Sequence, residues 1–309
     1  MRLLGDILRM MRPPQWIKNL FVFPALIFSH HLFNAGYCLK SLAAFLLFCL
    51  IAGSIYILND LMDVEEDRHH PQKKSRPIAA GNVSKRLAWS LFGLFSTVGL
   101  AMAFLLDGGF GIAASVYFAM NVGYSAALKR VAIVDVIVVS LGFVLRAAAG
   151  GLVIDVEVSP WLLICTTLLA LFLVLAKRRH ELIMLSDRAS MLTELSIAVS
   201  DEEKAVKYRK SLDDYNPYFL DQLIGITTAS TLMAYILYTL SDDAIRKFGD
   251  TDLVYTVPFV IYGIFRYLYL IHMKREGGSP TQTLLQDWPL MVDVVLWGVS
   301  VTLAIYVRN

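Results

Sequence analysis

Apolar residues occur in this chain as long blocks, not in the period-two alternation of a half-buried strand or the single stripe of an amphipathic helix. A bilayer core about 30 Å thick takes roughly 20 apolar helical residues. Nine blocks near that length, bounded by charge or by Gly and Pro, lie at about residues 16–30, 38–58, 87–106, 110–128, 132–154, 161–176, 218–240, 254–273 and 288–307. The pattern predicts an all-α polytopic membrane bundle of nine transmembrane helices, forming a single domain over residues 1–309. Arg9 and Arg12 precede the first block, but no small-residue cleavage site follows it, so it reads as a retained segment and not a removable leader.

Composition narrows the class further. Of 309 residues, 57% are hydrophobic and 17% charged, and the mean hydropathy is +0.58, which is more apolar surface than a water-soluble domain needs. Lys and Arg gather at the N-terminus and after the second, fourth, sixth and eighth blocks, which together hold 22 of the 28. By the positive-inside rule that side is cytoplasmic, so the N-terminus is expected inside, in a multi-pass protein of the inner (plasma) membrane. A net charge of +2 gives no reason to expect a nucleic-acid partner. Cys38, Cys49 and Cys165 lack metal-ligand spacing and read as small buried hydrophobes. Oligomeric state stays open, a homo-oligomer among the options.

Polar side chains in or beside a membrane span call for a function. The second block closes on NDLMDVEEDR, where Asn59, Asp60, Asp63 and Asp67 fall within about one quadrant of a helix at ~100° per residue, with Glu66 near the same arc. Converging carboxylates repel unless a cation lies between them, and hard oxygen ligands suit Mg²⁺, which also takes substrate phosphate. A plain solvated helix end explains them less well, because acid at a helix C-terminus opposes the macrodipole. Arg68, Lys73, Lys74 and Arg76 follow, cations of the kind a polyphosphate needs, although positive-inside charge accounts for part of them.

A second set surrounds the fifth block. Tyr124, Lys129 and Arg130 precede it, and Asp135, Gly142, Arg146 and Gly150 share one helix face. Arg146 lies deep enough to require either a structural carboxylate or a phosphate. A third set, Lys177, Arg178, Arg179, His180 and Glu181, ends the sixth block. Tyr262, Arg266 and Tyr269 line one face of the eighth, and Asp287 and Asp293 open the ninth. Together these residues predict a charged, cytoplasm-facing cavity in an apolar bundle.

Nine spans with NDxxDxxxD after the second resemble the UbiA superfamily of intramembrane prenyltransferases over nearly the whole chain. Within it, RPPQWIKN (residues 12–19), YILNDLMDVEEDRHHPQKKSRPIAAG (56–81), Lys129 with Asp135, LRAAAGG (145–151), AKRRHEL (176–182) and FRYLYL (265–270) resemble the decaprenyl-phosphate phosphoribosyltransferase branch. That resemblance implies an all-helical fold, Mg²⁺ as cofactor and a lateral, lipid-open cavity. Most of the superfamily carries a second aspartate motif after the sixth span; here the position reads KRRHEL. A prenyl diphosphate donor would want a second acidic metal site, whereas basic residues suit phosphate oxygens directly.

The reaction so implied is transfer of 5-phosphoribose from phosphoribosyl pyrophosphate to a polyprenyl phosphate, releasing pyrophosphate, as in cell wall precursor synthesis. Asn59, Asp60, Asp63 and Asp67 would hold the metal, with Asp63, Asp67 and Lys177 catalytic. Lys18, Asn19, Arg68, Lys73, Lys74, Arg76, Tyr124, Lys129, Asp135, Arg146, Arg178, Glu181 and Arg266 would bind substrate. The alternative within the superfamily is transfer of a prenyl group from a prenyl diphosphate to an aromatic or other acceptor. A transporter would use Arg146 and Arg266 to line a path, but leaves the clustered aspartates unexplained.

Overall fold

The computed structural model of the chain describes residues 2–69, 73–194, 214–248, 252–274, 278 and 280–307. Among them there is helix and connection but no strand. Of the basic residues that set the expected orientation, Lys204, Lys207, Arg209, Lys210, Arg275 and Arg308 lie outside these residues.

Helix α1 (Arg2–Met11) leads into a 3-10 segment (Pro13–Val22) and a short helix α2 (Pro24–Phe28). The acidic motif closes α3 (Ala35–Met62) and continues into α4 (Val64–His69). Then follow α5 (Lys85–Leu106), α6 (Gly108–Ala126), α7 (Val134–Val153) and α8 (Pro160–Glu194). The last part of the bundle contains α9 (Pro217–Thr239), α10 (Asp242–Phe248), α11 (Val257–Met273), α12 (Pro280–Gln286) and α13 (Trp288–Tyr306). Polar residues at the block boundaries start these helices: Asn34, Ser84, Asp107, Asn216 and Asp287 each accept a backbone N–H from the first turn. Asp107 thereby assigns Gly108, Gly109 and Gly111 to a helix start.

Among the described residues, seven segments are long and apolar enough to cross a bilayer: α3, α5, α7, α8 through Met184, α9, residues 252–273 including α11, and α13. Two of the nine expected spans differ. The block at 110–128 forms a full 19-residue helix, α6, but its four glycines and polar Ser, Asn and Tyr side chains dilute its hydropathy. The block at 16–30 does not form a continuous helix, because Pro13, Pro14 and Pro24 each remove a backbone donor. A 3-10 helix of ten residues is unusually long. It starts from Arg12 in the left-handed region (φ 52°, ψ 64°), a conformation L-residues adopt at a cost.

That segment lies in a cleft between α3 and α7 and joins one core cluster, in which Val22 and Leu26 pack with Phe48, Phe110 and Tyr117. A second cluster, built on Phe172, Leu220, Ile224, Tyr267 and Ile271, joins α8, α9 and α11. The approach to α7 is closest at Gly150, where a Cβ would lie 2.0 Å from the carbonyl oxygen of Val22. Only a residue without a side chain allows this contact. Gly150→Ala is therefore expected to displace the 3-10 segment and cost on the order of 1–3 kcal/mol, read as a lower unfolding temperature in detergent. An unchanged temperature would show that the segment does not depend on this contact.

Candidate active site

The end of α3 builds the first part of the site. The helix kinks at Asp63 (φ −97°, ψ 10°), yet the ladder runs through: Asp63 N–H donates to Asn59 O at 3.0 Å and Asp67 N–H to Asp63 O at 2.8 Å. The backbone ladder from Asn59 to Asp67 therefore continues through the kink. Asp60 and Asp67 are buried and converge on one guanidinium: Arg76 Nη1 donates to Asp60 Oδ1 at 3.1 Å and to Asp67 Oδ2 at 2.6 Å. Arg12 also pairs with Asp60, and its guanidinium lies 4.9 Å from the centroid of the Tyr56 ring. Lys129 Nζ donates to Asp63 Oδ1 at 2.6 Å. Glu66 is exposed and stands apart from this group.

Arg76 is positioned by the connection it sits on. Ile78 and Val83, both buried, fasten the segment after α4 against Met10 of α1 and against Ile57 and Leu61 of α3. Lys73 is under the electrostatic influence of Arg76, Asp67, Asp63 and Glu181, so the acidic motif and the end of α8 form one neighbourhood. Arg68 pairs instead with Glu65 at 3.0 Å in an exposed contact, and Lys74 is exposed.

Mg²⁺ usually takes one or two carboxylates together with water and substrate phosphate. Among the described residues no three His, Cys, Asp or Glu side chains converge as a preformed metal cage. The oxygen donors of Asn59, Asp60, Asp63 and Asp67 nevertheless suit that ion. The position between Asp60 and Asp67 already holds positive charge, since Arg76 stands there as a protein-borne cation.

The second part lies under the 3-10 segment. Arg146 is 5% exposed, and its partners are neutral: Nε donates to Asn19 Oδ1 at 2.7 Å, Nη1 to Gly142 O at 2.7 Å and Nη2 to the Tyr117 hydroxyl at 2.6 Å. Its guanidinium also faces the Tyr117 ring at 4.6 Å. The carboxylate that would make Arg146 a structural ion pair is absent among the described residues. Asn19 is held in turn by its Nδ2 donating to Cys49 Sγ at 3.2 Å. Lys18, half-buried, forms no ion pair among the described residues, and the charges that act on it are Lys177, Arg146 and Arg12, all positive. Lys18 and Arg146, both without a carboxylate partner among the described residues, leave a local excess of positive charge of the kind that suits an anion.

The third part is held together by ion pairs. Lys177 sits 3.6 Å from Glu181 on α8, which continues as one helix past the apolar block. Arg178 is 2% exposed and its three nitrogens are engaged: Nε with Asp135 Oδ2 at 2.8 Å, Nη1 with Glu181 Oε2 at 2.6 Å and Nη2 with the Tyr124 hydroxyl at 3.2 Å. Arg178, Asp135 and Tyr124 thus form a buried cluster that joins α6, α7 and α8. Arg266 is likewise committed, bidentate to Asp287 at 3.1 and 2.8 Å, where it ties α11 to the cap of α13. Arg179 binds Asp221, whose carboxylate lies 3.2 Å from His272 Nε2, and this fastens α8, α9 and α11 together.

Sequence reasoning singled out neither Tyr117 nor Tyr215, and it read Arg12 only as flanking charge. Tyr117 is hidden inside an apolar block. Tyr215 accepts the N–H of Ile133 at 2.6 Å and donates to Asp135 Oδ1 at 3.0 Å. Burial pushes its phenol up to about 12, which keeps it a donor. Ile133 is the centre of a γ-turn (φ 67°, ψ −47°; Val134 N–H to Ala132 O at 2.7 Å), a conformation costly for a β-branched residue. Tyr215→Phe leaves that N–H without its acceptor and is expected to cost about 1–3 kcal/mol. Equal unfolding free energies of the two proteins would contradict this linkage.

With the geometry in place, comparison with known proteins gives the class. The sequence model of the UbiA prenyltransferase family matches residues 20–188, more than half of the chain, and the chain belongs to that family. Among curated relatives, the decaprenyl-phosphate phosphoribosyltransferase of Mycolicibacterium smegmatis is 33% identical, over 98% of this chain and 93% of its own length. The protein of the same name from Mycobacterium tuberculosis is 30% identical over 98% and 95%. Of solved structures, a UbiA homolog from Archaeoglobus fulgidus bound to GPP and Mg²⁺ superimposes with a TM-score of 0.66 at 20% identity, over 97% of this chain and 99% of that one. A digeranylgeranylglyceryl phosphate synthase gives 0.63 at 18%, over 99% of each chain. These two structures share the fold.

Proposed function

We propose that this protein transfers 5-phosphoribose from phosphoribosyl pyrophosphate to a polyprenyl phosphate of the decaprenyl type and releases pyrophosphate. The observation that carries the reading is the pair Lys18 and Arg146, two cations without a carboxylate partner among the described residues, beside an acidic group that itself attracts positive charge. One region suits a phosphate monoester, the other a metal-bound diphosphate. Full-length relatives named decaprenyl-phosphate phosphoribosyltransferase support the same assignment.

In this mechanism Asn59, Asp60, Asp63 and Asp67 would hold Mg²⁺, which when bound neutralises charge on the departing pyrophosphate. Arg76, Lys73 and Lys129 stand beside these carboxylates and would pair with diphosphate oxygens, where their attraction grows as charge develops on the leaving group. Lys18, Arg146 and Lys177 orient a phosphate against the anomeric carbon. A phosphate monoester has a second pKa near 6 and is already an anionic nucleophile at neutral pH; no side chain is required as a base. Arg178, Asp135, Tyr124 and Glu181 act as positioning residues, fixing the helix that carries Lys177.

The same reading puts the N-terminus and the site on the cytoplasmic side of the inner membrane. It counts α6 and residues 13–28 as crossings, for nine in all. Ten 3-10 residues at about 2.0 Å and five helical ones at about 1.5 Å reach about 28 Å, close to the thickness of a bilayer core.

The test offers purified protein two substrate pairs, labelled phosphoribosyl pyrophosphate with polyprenyl phosphate, and a prenyl diphosphate with an aromatic acid. Label entering lipid from the first pair alone is the expected result. Prenylation of the acid with no sugar transfer would overturn the proposal.

A further inference from the structure

A second polar feature lies outside the site described above. Helices α11 and α13 enclose a groove of about 460 Å³ whose walls are Pro258, Phe259 and Tyr262 on one side and Trp288, Val292 and Leu296 on the other. Asp293 also lines it. This carboxyl is 7% exposed, lies within a membrane span and has no hydrogen-bond or ion-pair partner among the described residues. It fits against Gly263, where a Cβ would stand 2.7 Å from Asp293 Oδ2. A carboxyl facing hydrocarbon without a partner is costly, and such residues in spans mark ligand sites.

The groove's surroundings indicate the chemistry of the partner. Arg266, one turn along α11 from Tyr262, is already neutralised by its bidentate contact with Asp287. Among the described residues beside the groove, no free cation calls for a phosphate. The carboxyl calls for a hydrogen-bond donor, and the apolar walls call for acyl chains. Asp293 lies five residues into α13 and packs against Gly263 of α11, inside both candidate spans.

We propose that this groove binds a neutral lipid with a free hydroxyl, a diacylglycerol, whose hydroxyl hydrogen-bonds Asp293 while its chains lie along Phe259, Val292 and Leu296. The site is separate from the transfer reaction and stands whether or not that assignment holds.

Native mass spectrometry of the full chain in detergent tests it, with three lipids of matched oleoyl chains: dioleoylglycerol, trioleoylglycerol, which has no hydroxyl, and lysophosphatidylcholine, which carries both a hydroxyl and a phosphate. Dioleoylglycerol is expected to be retained about tenfold more than trioleoylglycerol, roughly the effect of one buried hydrogen bond. That ratio should fall to about one in Asp293→Leu and persist in Asp293→Asn, whose amide oxygen still accepts. The wild-type ratio alone decides the matter if the leucine variant fails to fold. Equal retention of the two glycerides by the wild type, a ratio unchanged in Asp293→Leu, or stronger Asp293-dependent retention of the lysophospholipid would each overturn the proposal.

Discussion

Replacing Arg178 with Met is expected to unfold the bundle or lower its stability by about 3–5 kcal/mol, the cost of leaving a buried carboxylate without its cation. Asp135 is fully buried, Arg178 nearly so, and the pair joins α7 to α8 across 43 residues of sequence. Removing the guanidinium also takes donors from Glu181 and Tyr124. Arg146→Met should behave differently. Its partners Asn19, Gly142 and Tyr117 are neutral, so no buried charge is stranded; the protein should stay folded and lose transfer activity. Unfolding temperatures and size-exclusion profiles in detergent separate the two cases. An Arg178→Met protein as stable as wild type would mean that the buried pair does not hold the helices.

The largest loss of activity is expected from Asp67→Asn, with Asp63→Asn close behind. Each removes one negative charge from the group that would hold the metal-bound diphosphate. A metal site commonly supplies several kcal/mol of transition-state stabilisation, so turnover should fall by about a thousandfold or more. Arg76 retains Asp60 as a partner in the first variant, and only one contact, from Lys129, changes at Asp63 in the second, so both proteins should remain folded. Metal-dependent turnover at wild-type level in both would refute the assignment of these oxygens.

Much of this arrangement is legible in the chain. Apolar blocks located the long helices because a bilayer imposes length and hydropathy on each span directly. The acidic motif disclosed its shared face because residues 59 to 67 lie on one nearly continuous helical ladder, where spacing alone fixes direction. Contacts between distant segments were not legible. Nothing local to Arg178 shows that Asp135 pairs with it, and the partner of Arg12, Asp60, is 48 residues away. The partner of Arg266, Asp287, likewise lies beyond its own helix. Hydropathy over residues 16–30 signals a helix, but the prolines at 13, 14 and 24 decide the backbone there and give a 3-10 segment instead.

The active-site account rests on a leaving pyrophosphate and an attacking lipid phosphate sharing one polar cavity. The most direct measurement supplies the reconstituted chain with polyprenyl phosphate and phosphoribosyl pyrophosphate labelled in its diphosphate, and follows both products in time. The account predicts one labelled pyrophosphate released for each lipid that gains a phosphoribosyl group, with the lipid's own phosphate retained in the product. Release of the lipid's phosphate, or lipid modification with the labelled diphosphate still attached to the sugar, would contradict it.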